Sequence, residues 1–224
     1  MRLWLFCLLL CVSVQAYAQK SCRVVVTVSN EFPPFNMKTG ENHWYGLAVD
    51  IAREVLFGAK CDADIVNVPW QRAMNMLRKG EVGMVPLVTI TEQRATFTHF
   101  IGPIYLEQTV FMIHQELMDG LQLDDALRSF TGNIGKTQGT LYSDSVEKLV
   151  ANPKVKRRVV PIRSDENKIE MFVQGRIQGM FEELAVAEYL YNQHVLSRQK
   201  YPIAMRFLPN PVYLAVGENA VNNE

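Results

Sequence analysis

The stretch Glu81-Val-Gly-Met-Val-Pro-Leu-Val-Thr-Ile-Thr-Glu-Gln-Arg-Ala-Thr-Phe97 orders the reading of the rest of the chain. Val82 to Val88 is apolar and reads as a buried strand. It runs into Thr89 and Thr91, and Thr91 stands where it N-caps a short turn with Arg94 at the third helical position. One bend therefore gathers hydroxyls, free backbone N–H groups and a guanidinium. A carboxylate suits that set, because the planar guanidinium fork takes both oxygens and the capped turn adds donors. A capped surface turn with a solvated arginine would read the same, so the decision rests on what surrounds it.

Upstream, Arg23 to Val28 is a β-branched run followed by a proline-containing loop from Ser29 to Tyr45. Leu47, Ile51 and Val55 recur at helical spacing beside Ala48 and Ala52, and Gly58 stops the helix. Ile65 to Val68 reads as a short strand. Trp70 to Lys79 is a helix with Ala73, Met76 and Leu77 as its buried stripe, closed by Gly80, and Val82 to Val85 forms the third strand. Strand, helix, strand, helix, strand is the pattern of a parallel sheet covered by helices.

Downstream, Tyr105 to Ile113 is an extended run that leaves this unit, and after Asp119-Gly120 the alternation starts again. Asn133 to Gly135 reads as a strand and Thr140 to Val150 as a helix opened by Gly139-Thr140. Arg158 to Ile162 is a strand, and Ser164 to Gln174 a helix buried through Ile169, Phe172 and Val173. Gly179 to Glu182 is a strand and Leu184 to Gln193 a helix. Tyr201 to Leu208 and Val212 to Val216 are extended and return the chain toward the first unit.

At the N-terminus Met-Arg precedes an apolar run from Leu3 to Val14 and the ending Ala16-Tyr17-Ala18, the pattern of a secretory signal peptide cleaved after Ala18. No later stretch approaches the ~20 apolar residues of a membrane span. Cys11 follows three leucines, whereas a lipoprotein signal places a small residue before its cysteine. Of the 23 basic residues one, Arg2, leaves with residues 1–18, and none of the 23 acidic residues does, so the remaining chain carries a net charge of −1. Nothing in that balance attracts nucleic acid or an anionic membrane. Two of the four cysteines, Cys7 and Cys11, leave as well. Cys22 and Cys61, an even pair in an exported chain, read as a disulfide, with two separate buried thiols as the alternative. In the loop-entropy model such a closure is worth roughly 4 kcal/mol. Neither cysteine has a partner at metal-ligand spacing, and no metal site or cofactor motif is found.

The order of motifs resembles a family 3 periplasmic solute-binding protein, the polar amino-acid type that feeds ABC importers. The resemblance spans about Cys22 to Val216. It rests on Glu31-Phe32-Pro33-Pro34-Phe35, on Gly46-Leu47-Ala48-Val49-Asp50-Ile51, on Trp70-Gln71-Arg72-Ala73 with Gly80-Glu81, and on Thr91-Glu92-Gln93-Arg94 with Phe97 and Phe100. Pro103, Tyr105, Gln138-Gly139-Thr140 and Gly175-Arg176 continue it.

It implies an α/β fold of two Rossmann-like lobes, a type II periplasmic-binding architecture, joined by hinge strands near Tyr105 to Val110 and Arg206 to Tyr213. Residues 19–108 would form lobe 1, 109–208 lobe 2 and 209–224 a return segment, without the C-terminal helices usual in the family. The resemblance also assigns a site. Arg94 would grip the ligand α-carboxylate with help from Thr89, Phe32 and Trp70 would form apolar walls, Thr140 would offer a hydroxyl from lobe 2, and Glu183 would pair with the α-ammonium. Pro86-Leu87-Val88 replaces the small polar residues usual before the Thr-Glu-x-Arg turn.

The implied function is capture of a small carboxylate-bearing ligand, most simply a polar amino acid, in the periplasm by a monomer that hands it to a membrane permease. A sensor or orphan binding module is the alternative. Catalysis is not expected. The sequence has no His-Glu-x-x-His helix, no Gly-x-Ser-x-Gly elbow and no phosphate-cradling glycine loop. Adjacent Glu182 and Glu183 on a strand would point to opposite faces and form no dyad.

Overall fold

The computed structural model describes residues 22–41, 43–120 and 126–218, so the expected signal peptide lies outside it. β1 (Cys22–Val28) leads through the hairpin of β2 (Met37–Thr39) and β3 (His43–Tyr45) into α1 (Leu47–Gly58). The helix begins at Gly46, whose φ of 115° suits glycine and whose Cα lies so near the preceding loop that a Cβ would meet the Phe35 carbonyl oxygen at 2.6 Å. Leu47 and Ala48 donate to the Pro34 and Phe35 carbonyls, fastening the Pro-Pro-Phe loop to the start of α1. Ala48, Val49, Ala52 and Leu56 are its buried residues, whereas Leu47, expected inside, is 42 % exposed.

β4 (Cys61–Asn67) pairs in parallel with β1 from Cys22 opposite Cys61 onward, and that register brings the two cysteines into a disulfide with Cα atoms 4.5 Å apart. It starts four residues earlier than the expected Ile65. Asp62 and Asp64 lie on the exposed face of an edge strand, which hid its first half in the sequence. α2 (Trp70–Lys79) buries Ala73 and Leu77 and ends at left-handed Gly80. β5 (Met84–Val88) begins two residues after the expected Val82 and leads to α3 (Glu92–Ala95) and β6 (Thr98–Glu107).

β7 (Thr109–Ile113) opens the second sheet, and α4 (Ala126–Ser129), β8 (Ile134–Thr137), α5 (Asp144–Ala151), α6 (Pro153–Lys156), β9 (Val159–Ile162), α7 (Asp165–Val173), β10 (Gly179–Glu183), α8 (Leu184–Asn192) and β11 (Ile203–Arg206) follow. β12 (Asn210–Gly217) then rejoins the first sheet. The strand orders are β4-β1-β5-β12-β6 and β11-β7-β10-β8-β9. In the first sheet β1 is parallel to β4 and β5, and β12 runs antiparallel between β5 and β6. The second mirrors this, with β8 parallel to β9 and β10 while β7 runs antiparallel to β10 and β11. The result is a two-lobed α/β fold in which the chain crosses between sheets at Gln108 and again between Arg206 and Asn210.

Each lobe has its own core. Val26, Ala52, Leu56, Met84 and Leu214 pack together in the first, and Phe111, Phe130, Ile134 and Phe181 in the second. A further cluster joins Phe35 and Ala48 to Val110 and Met180, with Tyr105 and Phe32 against it. The ring of Phe35 meets Tyr105 edge-on at 4.9 Å, so the loop that starts α1 is pinned to the crossover strand. Two expectations are corrected in the second lobe. α5 starts at Asp144, not Thr140, because Gly139 adopts φ 82° and turns the chain, with Thr140 N–H bonded back to Thr137. On α7 the buried positions are Lys168 and Phe172, and Val173 is 42 % exposed.

Candidate functional site

A cavity of about 490 Å3 opens between the two sheets, at the carboxyl ends of β1, β5, β8 and β10. Phe32, Trp70, Thr89 and Arg94 line it from the first lobe, Thr140 and Glu183 from the second, so all six residues singled out in the sequence meet here. Across its mouth Gly139 approaches α2 so closely that a Cβ there would lie 2.7 Å from Gln71 Cγ.

Arg94 owes its place to local chemistry. Thr91 is the N-cap of α3 and its hydroxyl accepts from the Arg94 N–H at 3.1 Å. The side chain turns inward until the residue is 9 % exposed, and Nη1 donates to the Thr89 carbonyl at 2.8 Å. Its guanidinium carbon stands 5.7 Å from the Trp70 ring centroid, so the indole supports the arginine by cation–π contact. Among the described residues no carboxylate lies within ion-pair distance of it, and burial lowers its pKa. Thr89 Oγ1 accepts from Asn210 Nδ2 at 3.0 Å, a contact that the return strand β12 supplies. Phe32 stacks on Phe35 with ring centroids 5.5 Å apart.

Glu183, expected to pair with the ligand ammonium, lines the cavity and has a structural task as well. It is the N-cap of α8: Oε2 accepts from the Ala185 and Val186 N–H groups. Oε1 accepts from Tyr105 OH at 3.0 Å and Gln108 N–H at 3.3 Å. Four donors therefore hold this carboxylate at the crossover strand, leaving little acceptor capacity for a ligand. Glu182 and Glu183 do not point apart, since both line the cavity and the Glu183 N–H donates to Glu182 Oε1 at 3.0 Å. The strand's alternation ends where Glu183 becomes a cap. Thr140 stands before α5 rather than at its start, and its carbonyl accepts from Lys136 Nζ at 2.8 Å.

The sequence reading missed Lys168. It is 1 % exposed, yet its ammonium lies 2.7 Å from Asp165 Oδ1, 3.1 Å from Thr137 Oγ1 and 3.2 Å from Glu182 Oε2. Thr137 in turn donates to Asp165 Oδ1 at 2.5 Å. The available signal was a lysine four residues before Phe172, on the buried stripe of a helix, with an aspartate at i−3.

A family model for bacterial extracellular solute-binding proteins, family 3, matches residues 24–194. The chain belongs to that family. No curated protein shows significant sequence similarity to it. Among solved structures, an ancestral arginine-binding protein bound to arginine superposes with a TM-score of 0.75 at 19 % identity, over 88 % of this chain and 84 % of the other. An ancestral amino acid-binding protein described as a precursor of cyclohexadienyl dehydratase gives 0.71 at 18 % identity, over 90 % and 86 %. The VFT2 domain of Bordetella pertussis BvgS, in a double mutant, gives 0.69 at 20 % identity, over 88 % and 82 %. Their cores share this fold.

Asp165, Glu182, Glu183 and Glu107 line the family 3 cleft with Lys168 buried against them, and Arg94 and the exposed Arg163 are the other cations of the lining. Burial would raise the Asp165 carboxyl, but the Lys168 charge and hydrogen bond bring it below the usual value. Burial also opposes the Lys168 charge, which Asp165 and Glu182 more than restore, so its pKa is raised. Burial, then Glu183, Glu182 and Asp165, push Glu107 up to about 8, and burial pushes Glu182 up to about 7 against the pull of Lys168.

These two acids hold protons in the folded family 3 chain that the unfolded chain releases above about 4.5. More protons bound to the native state means that stability falls as pH rises through that window. The ligand-free protein is therefore expected to lose melting temperature between pH 5 and 8.5, and Glu107→Gln to flatten the decline. Scanning calorimetry across that range checks this, and an unchanged slope in the variant would contradict it.

Proposed function

We propose that the protein is a periplasmic receptor, exported by the signal peptide of residues 1–18, that closes around a small carboxylate-bearing solute, most simply a polar amino acid. The observation that carries this reading is Arg94: a buried guanidinium in the wall of a two-lobe cavity, with no acid in ion-pair reach among the described residues. A buried charge without a counter-ion is costly, and a ligand carboxylate removes the cost while accepting both arms of the fork. Thr89 assists, Phe32 contributes an apolar wall, and Trp70 acts through the arginine. Contributions from both lobes make the closed form the one that binds best. The likeness to structures of arginine- and glutamine-bound ancestral proteins is in keeping with such a ligand.

The chain works as a monomer by binding without catalysis, and delivers its ligand to the permease of an ABC importer. A module that hands its closed state to a membrane sensor would use the same cleft, and loss of ligand uptake on deletion separates the two.

A thermal-shift screen against the twenty amino acids, small di-acids and polyamines tests the ligand class. At a hundredfold excess over Kd a ligand stabilises the native state by about 2.7 kcal/mol. For a chain of this size that raises the melting temperature by roughly 5–10 °C. At least one amino acid is expected to do so. Stabilisation by polyamines alone, which lack a carboxylate, would overturn the reading.

A further inference from the structure

Thr89 takes part in two hydrogen bonds with different tasks. Its carbonyl accepts from Arg94 Nη1 at 2.8 Å, which aims the guanidinium, and its Oγ1 accepts from Asn210 Nδ2 at 3.0 Å. Thr89 is half-buried, follows the last residue of β5 and lines the cavity. Asn210 opens β12 where the chain returns from the second lobe, 121 residues further on, and stands outside the cavity lining. It reaches Thr89 because β12 lies against β5, with Tyr213 opposite Val88.

The direction of the Asn210 bond follows from a second contact. The Pro211 carbonyl oxygen stands 3.5 Å from the same Nδ2. A carbonyl only accepts, so the amide turns its NH2 to this side and Thr89 Oγ1 is the acceptor. A hydroxyl has one hydrogen and two lone pairs. With a lone pair engaged by Asn210, the Thr89 hydrogen points elsewhere, and among the described residues it meets no acceptor. The hydroxyl in the cavity wall is thereby held as a donor.

We propose that Asn210 is a positioning residue of the ligand site: it fixes the Thr89 hydroxyl with its hydrogen toward the ligand, so that the site takes a carboxylate in preference to the matching carboxamide. This rests on the reading of Arg94 and Thr89 as the carboxylate anchor. Both oxygens of a carboxylate accept, so one ligand group satisfies the guanidinium and the hydroxyl together. A carboxamide must turn its NH2 on one of them, donor against donor. Without Asn210 the hydroxyl is free to rotate and to accept from that NH2. The loss then falls on the carboxylate, and the discrimination shrinks.

The test is titration calorimetry of the full chain with the twenty L-amino acids, then with the tightest of them and, by competition, its α-carboxamide. The proteins are the wild type, Asn210→Ala, Asn210→Leu, Arg94→Ala, Thr89→Val and the double variant of Thr89→Val with Asn210→Ala. Leucine keeps the shape of asparagine without its donor. Both Asn210 variants are expected to weaken the amino acid about three- to tenfold and the α-carboxamide less than about twofold. A merely structural role would weaken the two ligands alike. In the Thr89→Val background, Asn210→Ala should change amino-acid affinity less than about twofold, because no hydroxyl is left to orient.

An unchanged ratio of the two affinities in the Asn210 variants would overturn the proposal, as would the same loss with and without the Thr89 hydroxyl. If Arg94→Ala and Thr89→Val weaken binding while the Asn210 variants do not, the carboxylate reading stands and the role of Asn210 alone falls. If none of the twenty binds, or if Arg94→Ala and Thr89→Val leave affinity unchanged, both fall.

Discussion

Arg94→Ala is expected to weaken binding of the bound amino acid by about 2–5 kcal/mol, some 30- to several-thousand-fold, while leaving the ligand-free fold intact. The two effects separate because the guanidinium does little for the empty protein. It makes one backbone hydrogen bond, to the Thr89 carbonyl, and stacks on Trp70, and it is held from water without a counter-ion. Removing it forfeits a modest contribution and relieves a buried charge. In the complex the same change strands the ligand carboxylate in an apolar wall. Arg94→Lys should recover only part of the loss, since an ammonium supplies charge without the planar fork. Calorimetric titration of the three proteins, with the melting temperature of each empty form, checks this. Affinity unchanged in Arg94→Ala would displace the anchor from Arg94.

Why Arg94 was legible in the sequence and Lys168 was not is a matter of range. The Arg94 turn is specified by neighbours: the cap hydroxyl of Thr91 reaches the N–H three residues on, and the carbonyl that takes Nη1 lies five residues back. α2 was read to its ends because its stripe, Ala73 and Leu77, closes on a left-handed glycine. The β4 start was lost because polar Asp62 and Asp64 occupy its outer face, and the start of α5 because a glycine turn imitates a helix opening. Lys168 is placed by partners from β8 and β10 that only the sheet register brings within 3.2 Å. Glu183 was found as a position in the cleft, but its hydrogen bonds were not foreseen. The helix start that made it conspicuous is also what occupies its oxygens.

Lys168→Met is expected to destabilise the protein by about 3–5 kcal/mol at pH 7, the cost of leaving buried carboxylates without their cation. Methionine fills much of the same volume, so lost charge rather than a cavity dominates. The pH dependence identifies the cause. In the native protein the Asp165 carboxyl is lowered, so its contribution is present above its ordinary value of 3.8 and fades as pH falls through that region. Lys168 is raised, so its contribution is complete below 10.5 and lost at higher pH. Within that window the pair stabilises the fold. Without the lysine, Asp165 and Glu182 gain stability by taking up protons, so the deficit of the variant should shrink as pH falls from 7 to 5. Neutralising them, as Lys168→Met with Asp165→Asn and Glu182→Gln, should recover most of the loss at pH 7. Urea unfolding at both pH values measures each term. A deficit under about 1 kcal/mol at pH 7, or one that grows toward pH 5, would show that the lysine is held by packing rather than by its acids.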